Sequence, residues 1–210
     1  MKTSLEKYMN KIKNMDDKEY LFGVLSYSIA PTLLGDKPSS IVTLNKNERN
    51  LHLLWEKYKK EFYKKCDLKF YELRKREESI TILFYNDNNL SSVIYKDSNM
   101  KFLKRFGYNE DLTLEEALTI LKCRFEHTCP HEIGIFLGFP LQDVICFMEY
   151  PEKECLLCGY WKVYNNLESA KEKFFNFDNA KNDVMNSVLD GSYPSILISS
   201  IRKEFVNYSG

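Results

Sequence analysis

The spacing of apolar residues divides the chain into amphipathic helices and a few strongly apolar strands. Leu5, Tyr8, Met9 and Ile12 recur at helical spacing, as do Leu21, Val24, Leu25 and Ser28. Pro31 and Gly35 are expected to break the chain after the second helix. Ser40 to Leu44 (SIVTL) is a β-branched run bounded by Pro38 and Asn45, which predicts a strand. Leu51, Leu54, Trp55, Tyr58 and Phe62 fall at i, i+3, i+4, i+7 and i+11, which predicts a helix whose other face is charged; His52 sits on it as a partly exposed helix histidine. From Leu68 to Tyr85 the pattern alternates, pauses at Arg76 to Ser79 and resumes as ITILFY, a hairpin pattern. Its second arm is apolar on both faces and so belongs in the middle of a sheet, with helices over at least one side.

Asn88 to Phe106 reads as helix, broken near Ser98 and stopped by Gly107. Thr113 and Glu116 have the T-x-x-E spacing of a capping box and open a helix through Ala117, Leu118, Leu121 and Phe125. Two proline-led helices are expected at Pro130 to Leu137 and Pro140 to Met148. Gly159 to Tyr164 (GYWKVY) predicts a strand, Leu167 to Leu189 a long helix ended by Gly191, and Pro194 favours a terminal helix within Tyr193 to Phe205. Together these predict a single α+β domain over residues 1–210, with a small, mainly antiparallel sheet of three to four strands. The strands are Ser40 to Leu44, the Leu68 to Tyr85 hairpin and Gly159 to Tyr164, in an order the pattern leaves open. Trp55, Leu73, Ile82, Phe84 and Leu121 are the expected core.

Composition adds limits. With 210 residues, 44% hydrophobic and 29% charged, the chain needs no disulfides to support a core. Thirty basic residues balance thirty acidic ones, so no global field draws the chain to a polyanion. Lysine exceeds arginine by 24 to 6, a bias of AT-rich coding that discounts lysines interleaved with aromatics as a nucleic-acid signal. The charged N-terminus and the glycine- and proline-interrupted Ile133 to Leu141 stretch predict a cytoplasmic protein without membrane spans. Locally the chain is bipolar. Lys46 to Arg76 carries eleven basic against five acidic residues, and Tyr108 to Tyr160 three against ten. This permits self-association through opposite-charge faces or, more simply, solvated amphipathic surfaces.

Gly134, Gly138 and Val144 have the spacing of a helix-turn-helix. The second helix nevertheless carries Asp143 and Glu149 and no basic residue, so DNA binding is not expected and an αα-corner is. The segments CPHEIGIFLGFPLQDV (Cys129 to Val144), GYWKVYNN (Gly159 to Asn166) and ELRKREESITILFYN (Glu72 to Asn86) resemble a family of uncharacterised proteins from anaerobic clostridial bacteria, a domain of unknown function. The resemblance implies no activity, cofactor or catalytic residue.

Candidate chemistry therefore rests on cysteine and histidine. His127, Cys129, His131, Cys155 and Cys158 form a candidate metal set, able to offer mixed Cys/His ligands to zinc, although a lone C-x-x-C lacks the second pair of a zinc ribbon. Cys129 and His131 are the candidate catalytic residues. Cys129 is expected to cap the Pro130 helix, where the dipole and a cationic His131 favour a thiolate that could serve as nucleophile or haem ligand, while Glu132 opposes it. The alternative is a structural cysteine under a proline-led turn. The common phosphate-loop, dinucleotide, zincin and serine-hydrolase motifs are absent. The leading reading is a binding or accessory module, for a protein or small-molecule partner, in which Cys129 to Val144 and Gly159 to Tyr164 meet in one surface; the second is a Cys/His redox, metal or haem protein.

Overall fold

β3 (Ser79–Tyr85) lies between β1 (Ser39–Asn45) and β2 (Lys69–Lys75), antiparallel to both, in a computed structural model that describes residues 2–46, 49–126 and 128–204. Its two apolar faces each bury a separate cluster. Ile80, Ile82 and Phe84 point into one with Trp55, Phe62 and Phe22, whereas Leu83 and Tyr85 point into another with Leu73, Leu121 and Phe136. A register shift between Glu72 and Arg74 places Leu73 on the second face. The architecture is α+β.

The first face is covered by α1 (Lys2–Lys13), α2 (Asp17–Leu33) and α3 (Leu51–Lys65), with α9 (Leu167–Leu189) and α10 (Pro194–Glu204) packed on α2. Asp16 caps α2 by accepting from the backbone N–H of Lys18 and Glu19, and Asn50, left-handed at φ 48°, caps α3 by accepting from Leu53. The second face is covered by α4 (Asp87–Ile94), α5 (Asp97–Leu103), α6 (Leu114–Phe125), α7 (Ile133–Phe136) and α8 (Leu141–Glu149). Thr113 and Glu116 form the expected capping box at the start of α6. Among the described residues no helix is long and apolar enough to cross a membrane.

Four expectations are corrected. Pro31 lies inside α2 instead of ending it, because α2 is buried from Ile29 to Leu33 and tertiary packing outweighs one missing backbone donor. The break expected near Ser98 falls at Tyr95 and Lys96, immediately before α5. The Pro130 to Leu137 helix shrinks to α7; Pro130 to Glu132 form turns, with the N–H groups of Ile133 and Gly134 bonded three residues back to Pro130 and His131. GYWKVY does not join the main sheet. Gly159 to Trp161 turn between β4 (Leu157–Cys158) and β5 (Lys162–Val163), a separate antiparallel pair packed on Phe139 and on Phe174 and Phe177 of α9.

The basic stretch is largely neutralised within the chain. Lys46, Arg49, Lys59, Lys65, Lys69 and Lys75 are each ion-paired to a carboxylate, six of its eleven cations.

All five expected core residues are fully buried. Trp55 meets Phe62, Phe70 and Phe84 edge-on at 5.9, 4.8 and 5.6 Å, and its indole N–H donates to Glu72 at 3.0 Å. Phe84 is the point where this aromatic group meets β3. Truncating Phe84 to Ala is expected to cost about 3–5 kcal/mol, read from urea unfolding. An unfolding midpoint equal to the parent's would place Phe84 outside the core.

Candidate functional site

The site is built on the corner between α7 and α8. At Gly134 an added Cβ would stand 2.8 Å from Val144 Cγ2, so only glycine lets the two helices cross this closely. Gly138 turns the chain at φ +77°, where a Cβ would meet Pro38 Cδ at 2.6 Å. The Ser39 hydroxyl donates to the Phe136 carbonyl at 2.7 Å, joining the corner to the start of β1. On the other side the fully buried Glu132 accepts from two nitrogens of Arg124 on α6.

Asp143, in the first turn of α8, carries the contact to the β4–β5 hairpin. One carboxylate oxygen accepts the Trp161 indole N–H at 2.8 Å; the other accepts the backbone N–H of Tyr164 and Asn165, both at 2.9 Å, and the Asn165 side-chain amide at 3.1 Å. Asp143 is 2% exposed, yet each oxygen is satisfied by donors. Two of the three segments singled out by resemblance, Cys129 to Val144 and Gly159 to Asn166, are thus locked together by this carboxylate.

Between them lies a cavity of about 380 Å³. Its floor is apolar and sheltered, formed by Ile133, Gly134, Val144, Phe139 and Trp161. Phe139 stacks on Trp161 at 5.1 Å, and Phe174 meets the indole edge-on at 4.5 Å, which fixes the aromatic wall. Its rim is exposed and chemically different: Cys129, His131, Phe147 and Lys162. Phe147 takes the His131 ring at 5.2 Å and the Lys162 ammonium at 5.6 Å.

The structure places the sequence-predicted residues in two groups. Cys129 and His131 stand at the pocket rim. Cys155 and Cys158 face each other in the C-x-x-C at the start of the hairpin, sulfur to sulfur at 2.9 Å, and this contact holds the exposed Cys158 thiol above its ordinary range. His127 lies outside the described residues. Among those described, no group of three or more His, Cys, Asp or Glu side chains is placed to hold a metal ion. Cys129 is not a helix cap, since α7 begins four residues later. Desolvation and the nearby Glu132 raise its thiol pKa, partly opposed by Arg74.

A family model described as "Protein of unknown function (DUF3793)" matches residues 25–198, a span that contains both pocket segments and the β2–β3 hairpin. The chain belongs to the DUF3793 family. No curated protein and no solved structure matches it.

Sequence reasoning missed two groups in this DUF3793 protein. Asp143 was legible only as a charge adverse to DNA, because its partners lie 18 to 22 residues along the chain. Lys37 gave no signal in sequence. It is 8% exposed, and its ammonium lies 5.6 Å from the Phe139 ring centroid and 5.5 Å from that of Phe177, on α9. Burial, with the charge of Lys181, lowers its pKa to about 8.

Because that native pKa lies below the unfolded value of about 10.4, the unfolded chain holds more protons between the two and stability rises with pH across that window. Below pH 8 the cost of the buried ammonium is fully present. Lys37→Met is therefore expected to stabilise the protein at neutral pH by about 1–3 kcal/mol, the gain shrinking in alkaline buffer. Denaturant titrations at both pH values check this, and a gain independent of pH would show another origin. For Cys129, peptide-resolved alkylation rates over a pH series should give an apparent pKa above the ordinary ~8.5, whereas a value below about 6.5 would restore the reactive-thiolate reading.

Proposed function

We propose that this protein is a cytosolic binding module that holds a small, mostly apolar molecule in the cavity between the α7–α8 corner and the β4–β5 hairpin. The observation that carries the reading is the lining: a sheltered aromatic and aliphatic floor under an exposed rim with a few polar groups, in a volume of about 380 Å³. Small-molecule sites are typically apolar concavities of about 300–1,000 Å³ with few convergent polar atoms. Rigidity supports it too, since both walls are fixed by the glycine crossing and the Asp143 bonds. The Cys/His redox or metal alternative gains no comparable support, because the Cys129 thiol is pushed away from thiolate and, among the described residues, no three or more His, Cys, Asp or Glu side chains are grouped to hold a metal ion.

An uncharged fluorescent probe, N-phenyl-1-naphthylamine, is expected to bind the full chain with an emission increase. Phe147→Ser removes apolar rim surface that is 42% exposed, so it should weaken the probe about tenfold while leaving the melting temperature near the parent's. A parent that does not bind the probe, or a variant that binds it equally well, would refute the pocket as a binding site.

A further inference from the structure

The charge of the occupant is a further step, and it rests on the binding reading above. Two acidic side chains belong to this corner, Asp143 in the cavity lining and Glu132 just before Ile133, and the oxygens of both are occupied by donors of the fold, those of Glu132 by a cation and those of Asp143 by uncharged N–H groups. Asp143 accepts bonds from Trp161, Tyr164 and Asn165, and Glu132 is paired with Arg124. The Lys162 ammonium has no carboxylate partner among the described residues; it lies 5.6 Å from the Phe147 ring centroid, and its charge also acts on the Cys158 thiol. The contrast with Lys46 to Arg76 is informative, because six cations there are ion-paired. Phe147 also packs against the His131 ring at 5.2 Å, and that ring is a second hydrogen-bond donor at the same rim.

An apolar floor and a donor rim select a molecule with the complementary polarity. We propose that the pocket takes a small organic carboxylate, with its apolar body against Phe139, Val144 and Trp161 and its carboxylate at the rim on Lys162, with His131 as the second donor. The placement is favourable on both counts. The apolar body leaves water for a preformed cavity, and the carboxylate stays at the exposed edge, where a charge-assisted bond forms without the desolvation cost of a buried ion pair. A free carboxylate also replaces the weak cation–π contact of Lys162 with a full opposite charge. A cationic molecule would meet the ammonium unfavourably, and an uncharged amide would gain only an ordinary hydrogen bond.

The test is displacement of bound N-phenyl-1-naphthylamine from the full chain by two isosteric competitors, 2-naphthoate and 2-naphthamide. The carboxylate is expected to compete at about tenfold lower concentration than the amide, with the advantage reduced at high salt. Lys162→Met keeps the aliphatic stem and should erase the preference, whereas Lys162→Arg should retain it; Lys162 is exposed, so both variants should melt with the parent. Equal competition by the two molecules in the parent would overturn the anion assignment while leaving the pocket as a binding site. A preference that survives Lys162→Met would overturn it as well, by placing the anion elsewhere. Failure of both to displace a bound probe would overturn the pocket reading together with this one.

Discussion

A buried carboxylate must be met by donors or the fold loses several kcal/mol per ion, and at Asp143 that requirement organises the region around it. The hairpin of β4 and β5 contributes only two residues per strand and is too short to be stable alone. It holds its position because the indole of Trp161 and the backbone just beyond β5 bring their N–H groups to one side chain of α8. The stacking of Phe139 and Phe174 around Trp161 then follows from where that indole has been placed. The aromatic wall of the pocket is therefore a consequence of an electrostatic constraint.

The same region is joined to the main sheet by a different set of contacts. Ser39 begins β1 and its hydroxyl reaches the last carbonyl of α7, while Pro38 occupies the space beside Gly138. Lys37, the residue before them, holds its ammonium 5.6 Å from the Phe139 ring centroid. Three consecutive residues thus support the corner, and one does so at an electrostatic cost, since its ammonium is held among phenyl rings and near Lys181. Cation–π attraction recovers part of what desolvation removes.

Legibility in the sequence followed the range of the interaction. The central position of β3 could be read because ITILFY is apolar on both faces, and the start of α6 because its cap is a three-residue relation. The crossing of α7 and α8 could be read from Gly134, Gly138 and Val144, since close approach demands a small residue whatever the surroundings. Where tertiary packing outweighs local preference, the reading failed. Pro31 is carried inside α2 by burial, and Pro130 opens a turn because α7 is short and held by Ser39 and Arg124. GYWKVY looks like a strand by β propensity, but half of it is a turn. The rim could be found only in part: Cys129 and His131 drew notice through their chemistry, whereas Phe147 and Lys162 become rim residues only once the hairpin is docked.

The missing side chain of Gly134 serves two ends at once, the crossing of α7 on α8 and part of the cavity floor. A mutation that reshapes the floor therefore also strains the scaffold, and selection can alter it only at the risk of losing the protein. The four rim side chains bear no comparable structural duty, being exposed and outside the hydrogen-bond set that fixes the corner. Exchanges at positions 129, 131, 147 and 162 would therefore alter the mouth of the cavity while leaving the crossing of α7 on α8 unstrained.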